Sequence, residues 1–116
     1  MSDCLFCRIV AGEIPSTPVL DRPAVYAFRD VAPAAPVHVL VVPKDHVADA
    51  RSIGAGHAGL LAEVVDAANE VARAEGLDGS GYRLVFNVGP DAGQTVFHLH
   101  LHVLGGRPLG AMGPGA

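Results

Sequence analysis

The stretch Phe97-His98-Leu99-His100-Leu101-His102-Val103-Leu104 constrains this chain more than any other feature. Imidazoles alternate with aliphatic side chains, and the flanking residues favour extended backbone, so the run predicts a strand over Phe97–Leu104. Side chains on a strand alternate faces, and next-but-one residues stand about 6.6–6.8 Å apart. His98, His100 and His102 therefore share one face, while Leu99, Leu101 and Val103 share the other. The apolar face needs a core to lie against, and the histidine face is then open to solvent or ligand. Three readings suit the imidazoles: a polar face of hydrogen-bonded histidines, a metal site, or nucleophilic catalysis on phosphorus.

The remaining elements surround this strand. A short helix is predicted over Cys4–Ala11, capped by Ser2 or Asp3 and stopped by Gly12. Pro15 and Pro18 predict an extended or turning connection. Ala24–Phe28 reads as a strand, and His38–Val42, apolar on both faces, reads as a central one. A long helix is predicted over Gly56–Glu75, with Leu60, Leu61, Val64, Val65, Ala68, Val71 and Ala72 forming its apolar stripe. Tyr82–Val88 is a further strand, and Gly89–Gly93 a tight loop. The fold class is α+β: an antiparallel sheet of about five strands, one long helix on one face and one short N-terminal helix. One domain is predicted over 1–107. Residues 108–116 form a Gly/Pro-rich tail without regular structure.

Composition narrows the function classes. Among 116 residues half are hydrophobic, which excludes a disordered chain, and the net charge of −4 with no basic cluster argues against a nucleic-acid partner. No apolar run reaches the ~18 residues of a membrane span. The N-terminus lacks the pattern of a signal peptide, so a cytoplasmic protein is expected. The two cysteines form a Cys4-x-x-Cys7 pair, on one side of the first helix. A metal site, a redox pair and two buried thiols all fit that pair. The metal reading is favoured, because a thioredoxin-type redox motif follows a strand that residues 1–7 cannot supply.

His98-Leu99-His100-Leu101-His102-Val103-Leu104 resembles the His-x-His-x-His-x-x signature of the histidine triad (HIT) nucleotide-binding family. Three other segments agree: Cys4–Val10 with Gly12–Pro15, Phe28–Val31 through Pro36–His38, and Asn87–Thr95. Gly105-Gly106-Arg107-Pro108 is similar to the branch that contains purine nucleoside phosphoramidases. The resemblance implies a hydrolase of purine nucleoside 5′-phosphoramidates. In such a hydrolase, the resemblance implies, His100 attacks phosphorus and forms a nucleotidyl-histidine intermediate, which water then hydrolyses. It implies that His102 and His38 contact phosphate or support the nucleophile, and that Asn87, Gln94 and Thr95 form the phosphate-side loop. By the same resemblance Asp30 is expected to hold the ribose, and Leu5, Phe6, Ile9, Val31 and Leu40 to surround the base. It also implies a structural zinc on Cys4, Cys7, His46 and His98, no catalytic metal, and a homodimer. Two departures stand out: threonine replaces the commoner serine at Thr95, and the tail lacks the tryptophan often seen there. The alternatives are a dinucleoside polyphosphate hydrolase, a nucleotide-binding interaction module with little activity, and a hydrolase with a metal in the triad. A nucleotidyl transferase is disfavoured, because glutamine typically stands where this chain has His102.

Overall fold

The computed structural model describes residues 3–112. Five antiparallel strands form one sheet in the order β1-β2-β3-β5-β4, with β1 Pro18–Asp21, β2 Val25–Arg29, β3 Val37–Pro43, β4 Arg83–Val85 and β5 Leu101–Gly105. Helix α1 spans Leu5–Val10 and α2 spans Ala58–Ala74. The expected α+β class is present, with the long helix on one face.

Alternation along β3 divides the core. Val39 and Val41 face α2, together with Val25, Ala27, Leu101 and Val103. The helix meets them with Val64, Ala67, Ala68, Val71 and Ala72, and its alanines allow close approach. Leu40 and Val42 point the other way and pack with Phe6 of α1 and Phe28 of β2. The sheet is thus covered on both sides, by α2 on one and by α1 beside the histidines on the other. Among the described residues, no helix is long and apolar enough to cross a membrane.

Several boundaries differ from the sequence reading. The segment taken as a connection at Pro18 is strand β1, paired with β2. A proline is tolerated there because β1 is an edge strand of only four residues. The histidine strand is shorter than Phe97–Leu104. Its pairing with β3 ends at Val41↔Leu101, so in the same register Leu99 falls opposite Pro43, which has no N–H to donate. Leu99 instead gives its N–H to Val47 O at 2.6 Å. Leu99 is buried but stands outside the cluster around α2, unlike Leu101 and Val103. Strand β4 covers only Arg83–Val85 of the predicted Tyr82–Val88, because it pairs with β5 no further than Val85↔His102.

The helix ends also move. A 3-10 turn over Ala55–His57 precedes α2, and His57 Nδ1 accepts the Gly54 N–H. Asp3 does not cap α1, and Ser2, the other expected cap, lies outside the described residues. Cys4 takes that place, its Sγ accepting the Cys7 N–H. Gly12 (φ +79°) follows the helix. Residues 106–112 have no helix or strand, and the tail beyond them lies outside the described residues.

Candidate active site and metal cluster

β3 and β5 bring His38 and His102 together as diagonal neighbours, since His38 pairs with Leu104 and Leu40 with His102. The main chain settles how protons lie in this group. The Ala34 N–H donates to His38 Nδ1 at 3.0 Å. A neutral His38 must therefore carry its proton on Nε2. That Nε2 lies 2.8 Å from His102 Nδ1 and 3.4 Å from Asp30 Oδ2. His102 Nδ1 accepts, so its own proton is on Nε2. His102 Nε2 is buried without a hydrogen-bond partner, on a ring that lines the adjoining cleft. An orphaned donor at a cleft wall is a group waiting for an acceptor.

His100 is held by a different device. Its Nδ1 lies 2.7 Å from the carbonyl oxygen of His98, which can only accept. A neutral His100 therefore carries its proton on Nδ1 and keeps a lone pair on Nε2. Phe6 meets the His100 ring edge-on at 5.1 Å and 87°, and His102 lies 5.0 Å away on another side. The ring is thus clamped, with its basic nitrogen left for chemistry.

Burial opposes charge on these rings. Desolvation lowers the pKa of His38, with Asp30 acting in the opposite sense. Desolvation, then the neighbouring His100 and His38, lower that of His102 to about 4. Both are neutral near pH 7, in agreement with the proton positions above.

The cleft has a volume of about 480 Å³. Asp30, Asn87, Thr95, His100 and His102 line it, as do Leu5, Phe6, Ile9, Val31 and Leu40. Four further apolar residues in its wall escaped the sequence reading as site residues: Ile14, Pro15, Phe28 and Val96. Ile14-Pro15 stood in the family-like segment, which was the available signal; Phe28 and Val96 look like ordinary core in sequence. The histidine face is less open than expected, for α1 covers part of it.

Two of the expected site residues, His38 and Gln94, do not line this cleft. His38 stands behind His102 rather than in the cleft wall. Gln94 is only 3% exposed and spends its side chain on the loop itself. Its Oε1 accepts the Gly89 N–H at 2.8 Å, and its Nε2 donates to Ala48 O and Val96 O, both at 3.1 Å. All but one of its strong hydrogen-bonding positions are occupied, which leaves little for a ligand. Gly89 (φ +82°) and Gly93 (φ +89°) supply the left-handed turns of this loop.

The second cluster joins Cys4, Cys7, His46 and His98, whose candidate ligand atoms all lie within 4.8 Å of one another. His98 is fully buried, and its Nε2–H donates to Pro43 O at 2.8 Å. Its Nδ1 is therefore a bare acceptor. That atom lies 3.3 Å from Cys4 Sγ, 3.4 Å from Cys7 Sγ and 3.2 Å from His46 Nδ1. Tetrahedral ligands at about 2.0–2.3 Å from a zinc ion stand about 3.3–3.8 Å apart, so the spacing and the donor types fit. The Pro43 carbonyl orients the ring as outer-shell partners of metal-bound histidines do. Asp30, His38 and His102 also converge. There the Ala34 N–H already occupies His38 Nδ1, so a neutral His38 presents a proton, not a lone pair, to that point.

A five-stranded antiparallel sheet with a tautomer-locked histidine pair, a third imidazole on the cleft wall and a mostly apolar cleft defines a class of histidine-row domains. The chain belongs to the HIT domain family, whose model matches residues 11–109. It is 40% identical over 110 residues to the purine nucleoside phosphoramidase of Escherichia coli, covering 95% of this chain and 92% of that protein. It is 41% identical over 109 residues to a 14 kDa zinc-binding protein of Brassica juncea, covering 92% and 96% of the two chains. The crystal structure of a HIT family hydrolase from Legionella pneumophila superposes with a TM-score of 0.92 at 48% identity, covering 97% of this chain and all of the other.

Proposed function

We propose that this protein hydrolyses purine nucleoside 5′-phosphoramidates at the P–N bond, with His100 as nucleophile. The observation that carries the reading is the His100 Nδ1 to His98 O hydrogen bond, which leaves the Nε2 lone pair on a ring lining the cleft. The similarity to a purine nucleoside phosphoramidase supports the substrate class.

The apolar wall around Leu5, Ile9, Val31 and Leu40 takes the base, and Asp30 takes the ribose hydroxyls. The α-phosphate lies at His100 and His102. Arg29, the single Lys or Arg in the cleft wall, is engaged by Glu75. Phosphate charge must therefore be met by N–H and O–H donors: His102 Nε2–H, the Asn87 amide and the Thr95 hydroxyl. His100 Nε2 bonds to phosphorus, the P–N bond breaks, and its electron pair goes to nitrogen. Thr95 passes the nitrogen a proton from solvent. The His98 carbonyl stabilises the charge that His100 gains, since its Nδ1–H bond strengthens as the ring becomes cationic. Water then attacks the nucleotidyl-histidine, releasing the nucleoside monophosphate and a proton.

We propose further that Cys4, Cys7, His46 and His98 hold a structural zinc, a reading supported by the four-donor geometry and by the zinc-binding relative. Held by these four residues, a zinc ion would supply cohesion, since Cys4 and Cys7 belong to the start of the chain at α1, His46 to the segment after β3 and His98 to the chain just ahead of His100. The protein is expected to act in the cytoplasm as a homodimer.

The test is incubation with adenosine 5′-phosphoramidate, followed by intact-mass analysis of the quenched protein. An adenylyl adduct on wild type, absent from His100→Ala, is the expected result. Normal turnover by His100→Ala would refute the nucleophile.

A further inference from the structure

The loop between β4 and β5 brings Asn87 near its start and Thr95 near its end to the cleft wall. Gly89 is the hub of this loop. Its carbonyl accepts the N–H of Ala92 at 3.2 Å and of Gln94 at 3.1 Å, and its own N–H goes to Gln94 Oε1. The chain after β3 braces the loop from outside. Ala48 O accepts from Gln94 Nε2, and Asp49, only 4% exposed, grips Arg51. Asp49 Oδ1 accepts the Arg51 main-chain N–H at 2.9 Å, Oδ2 accepts Nη2–H at 2.7 Å, and Nε lies 3.3 Å from both oxygens. From the point where a Cβ on Gly89 would stand, Arg51 Nη1, Nη2 and Cζ lie 3.7, 3.7 and 3.8 Å away. An edge-on approach would leave Cζ well behind the two nitrogens, so the flat face of the guanidinium covers Gly89.

We propose that Arg51, held by Asp49, is a positioning residue: it clamps Gly89 and so keeps the Asn87 amide and the Thr95 hydroxyl at the phosphate. The proposal rests on the phosphoramidase reading and deepens it. Neither Asp49 nor Arg51 lines the cleft, so the pair acts through the loop and not on the substrate. Gly89, at φ +82° and ψ 171°, has a backbone that other residues rarely adopt, and with no side chain of its own it is held by what packs on it. The two donors it carries answer charge that grows at phosphorus, and a donor displaced by a fraction of its bond length loses much of that effect. Arginine suits the task because its fork grips a carboxylate while its plane lies on a main chain; lysine offers the charge alone.

The test combines kinetics on adenosine 5′-phosphoramidate, thermal unfolding and amide exchange, all on the full-length protein. In Arg51→Ala, kcat should fall about tenfold with KM within about twofold of wild type, the pattern of an interaction felt only in the transition state. The thermal midpoint should drop by no more than about 5 °C, because the Arg51 side chain is 64% exposed and its loss opens Asp49 to water. Exchange at Gly89 should quicken about tenfold, with Val39 and Val41 of β3 unchanged. Arg51→Lys keeps the charge and loses the flat face, so it should restore the thermal midpoint while kcat and Gly89 exchange stay near those of Arg51→Ala. A merely structural ion pair behaves otherwise: lysine would rescue kcat and midpoint together, and that result would overturn the proposal. Gly89 exchange in Arg51→Ala equal to wild type would overturn the clamp whatever the activity. A wild-type protein inert to the phosphoramidate would instead overturn the phosphoramidase reading, with the clamp on Gly89 still decided by exchange.

Discussion

His38 Nε2 stands 2.8 Å from His102 Nδ1, and the proton between them belongs to His38, because the Ala34 N–H occupies the other His38 nitrogen. One backbone amide thus sets two tautomers in succession and leaves a donor on His102 Nε2. Such a chain works only while both rings stay neutral, and their burial keeps them so.

Breaking the first link should release the second. His38→Ala removes the donor that holds His102 in its tautomer, and kcat should fall about 10–100-fold, as for other orienting partners. His38→Gln, whose amide N–H can replace Nε2–H, should recover part of the loss. Steady-state kinetics on adenosine 5′-phosphoramidate checks this; a Gln variant no better than Ala would count against the orienting role.

Removing the nucleophile should separate chemistry from binding. His100→Ala is expected to lose at least about 10³-fold in kcat, because a covalent step has no substitute. Titration calorimetry with adenosine monophosphate should still give a Kd within about tenfold of wild type, since base and ribose contacts remain.

Stability should fall in acid. A folded-state pKa near 4 for His102, against an unfolded value of about 6.5, means that folding favours the neutral ring. Below about pH 6.5 the unfolded chain binds protons first, so stability is lost progressively down to about pH 4. His38, also lowered, acts in the same direction. His102 alone accounts for about 1–2 kcal/mol by pH 5. Urea midpoints at pH 7.5 and pH 5 should differ less in His102→Gln than in wild type; identical differences would remove His102 from the account.

Metal and fold should be lost together. Cys7→Ser is expected to take bound zinc from one per chain to near none, and to lower the thermal midpoint by an amount matching about 4 kcal/mol, the linkage at a thousandfold excess over Kd. Elemental analysis and calorimetry on the same samples decide it. A purified wild-type protein without zinc, prepared free of chelator, would end the structural-metal reading.

Gln94 should behave as a loop tie. Gln94→Glu replaces two N–H donors with a carboxylate facing Ala48 O and Val96 O, an unpaired buried charge. A destabilisation of about 3 kcal/mol or more is expected, with faster amide exchange at Gly89, whose N–H the side chain accepts. Hydrogen-exchange mass spectrometry reads this without reference to activity. Protection at Gly89 equal to wild type would disprove the tie.

Local chemistry made much of this protein legible in its residues. Alternation in His98–Val103 placed Leu101 and Val103 against a helix, and three-and-four spacing over Leu60–Ala72 supplied that helix. The central position of β3 followed from its unbroken apolar run. The site residues could be named because their types and spacing resemble a family, not because local rules bring them together. Periodicity has no term for Pro43, which lacks the N–H that would extend the ladder and so ends β5 at Leu101. It equally cannot tell Gln94, buried as a tie within its own loop, from a neighbouring polar residue that meets ligand.

The sequence by itself determined both helices, the central strands, the two apolar faces and the inventory of reactive side chains, since these depend on interactions a few residues in range; edge strand β1, which forms only by pairing with β2, was not among them. Only the tertiary structure decided which nitrogen of each imidazole holds the proton. That choice is made by Ala34 N–H, Pro43 O and His98 O. Ala34 and Pro43 lie four and fifty-five residues from the rings they set. The direction of a hydrogen bond depends on where the fold carries those main-chain groups, and no pattern of residue types records it.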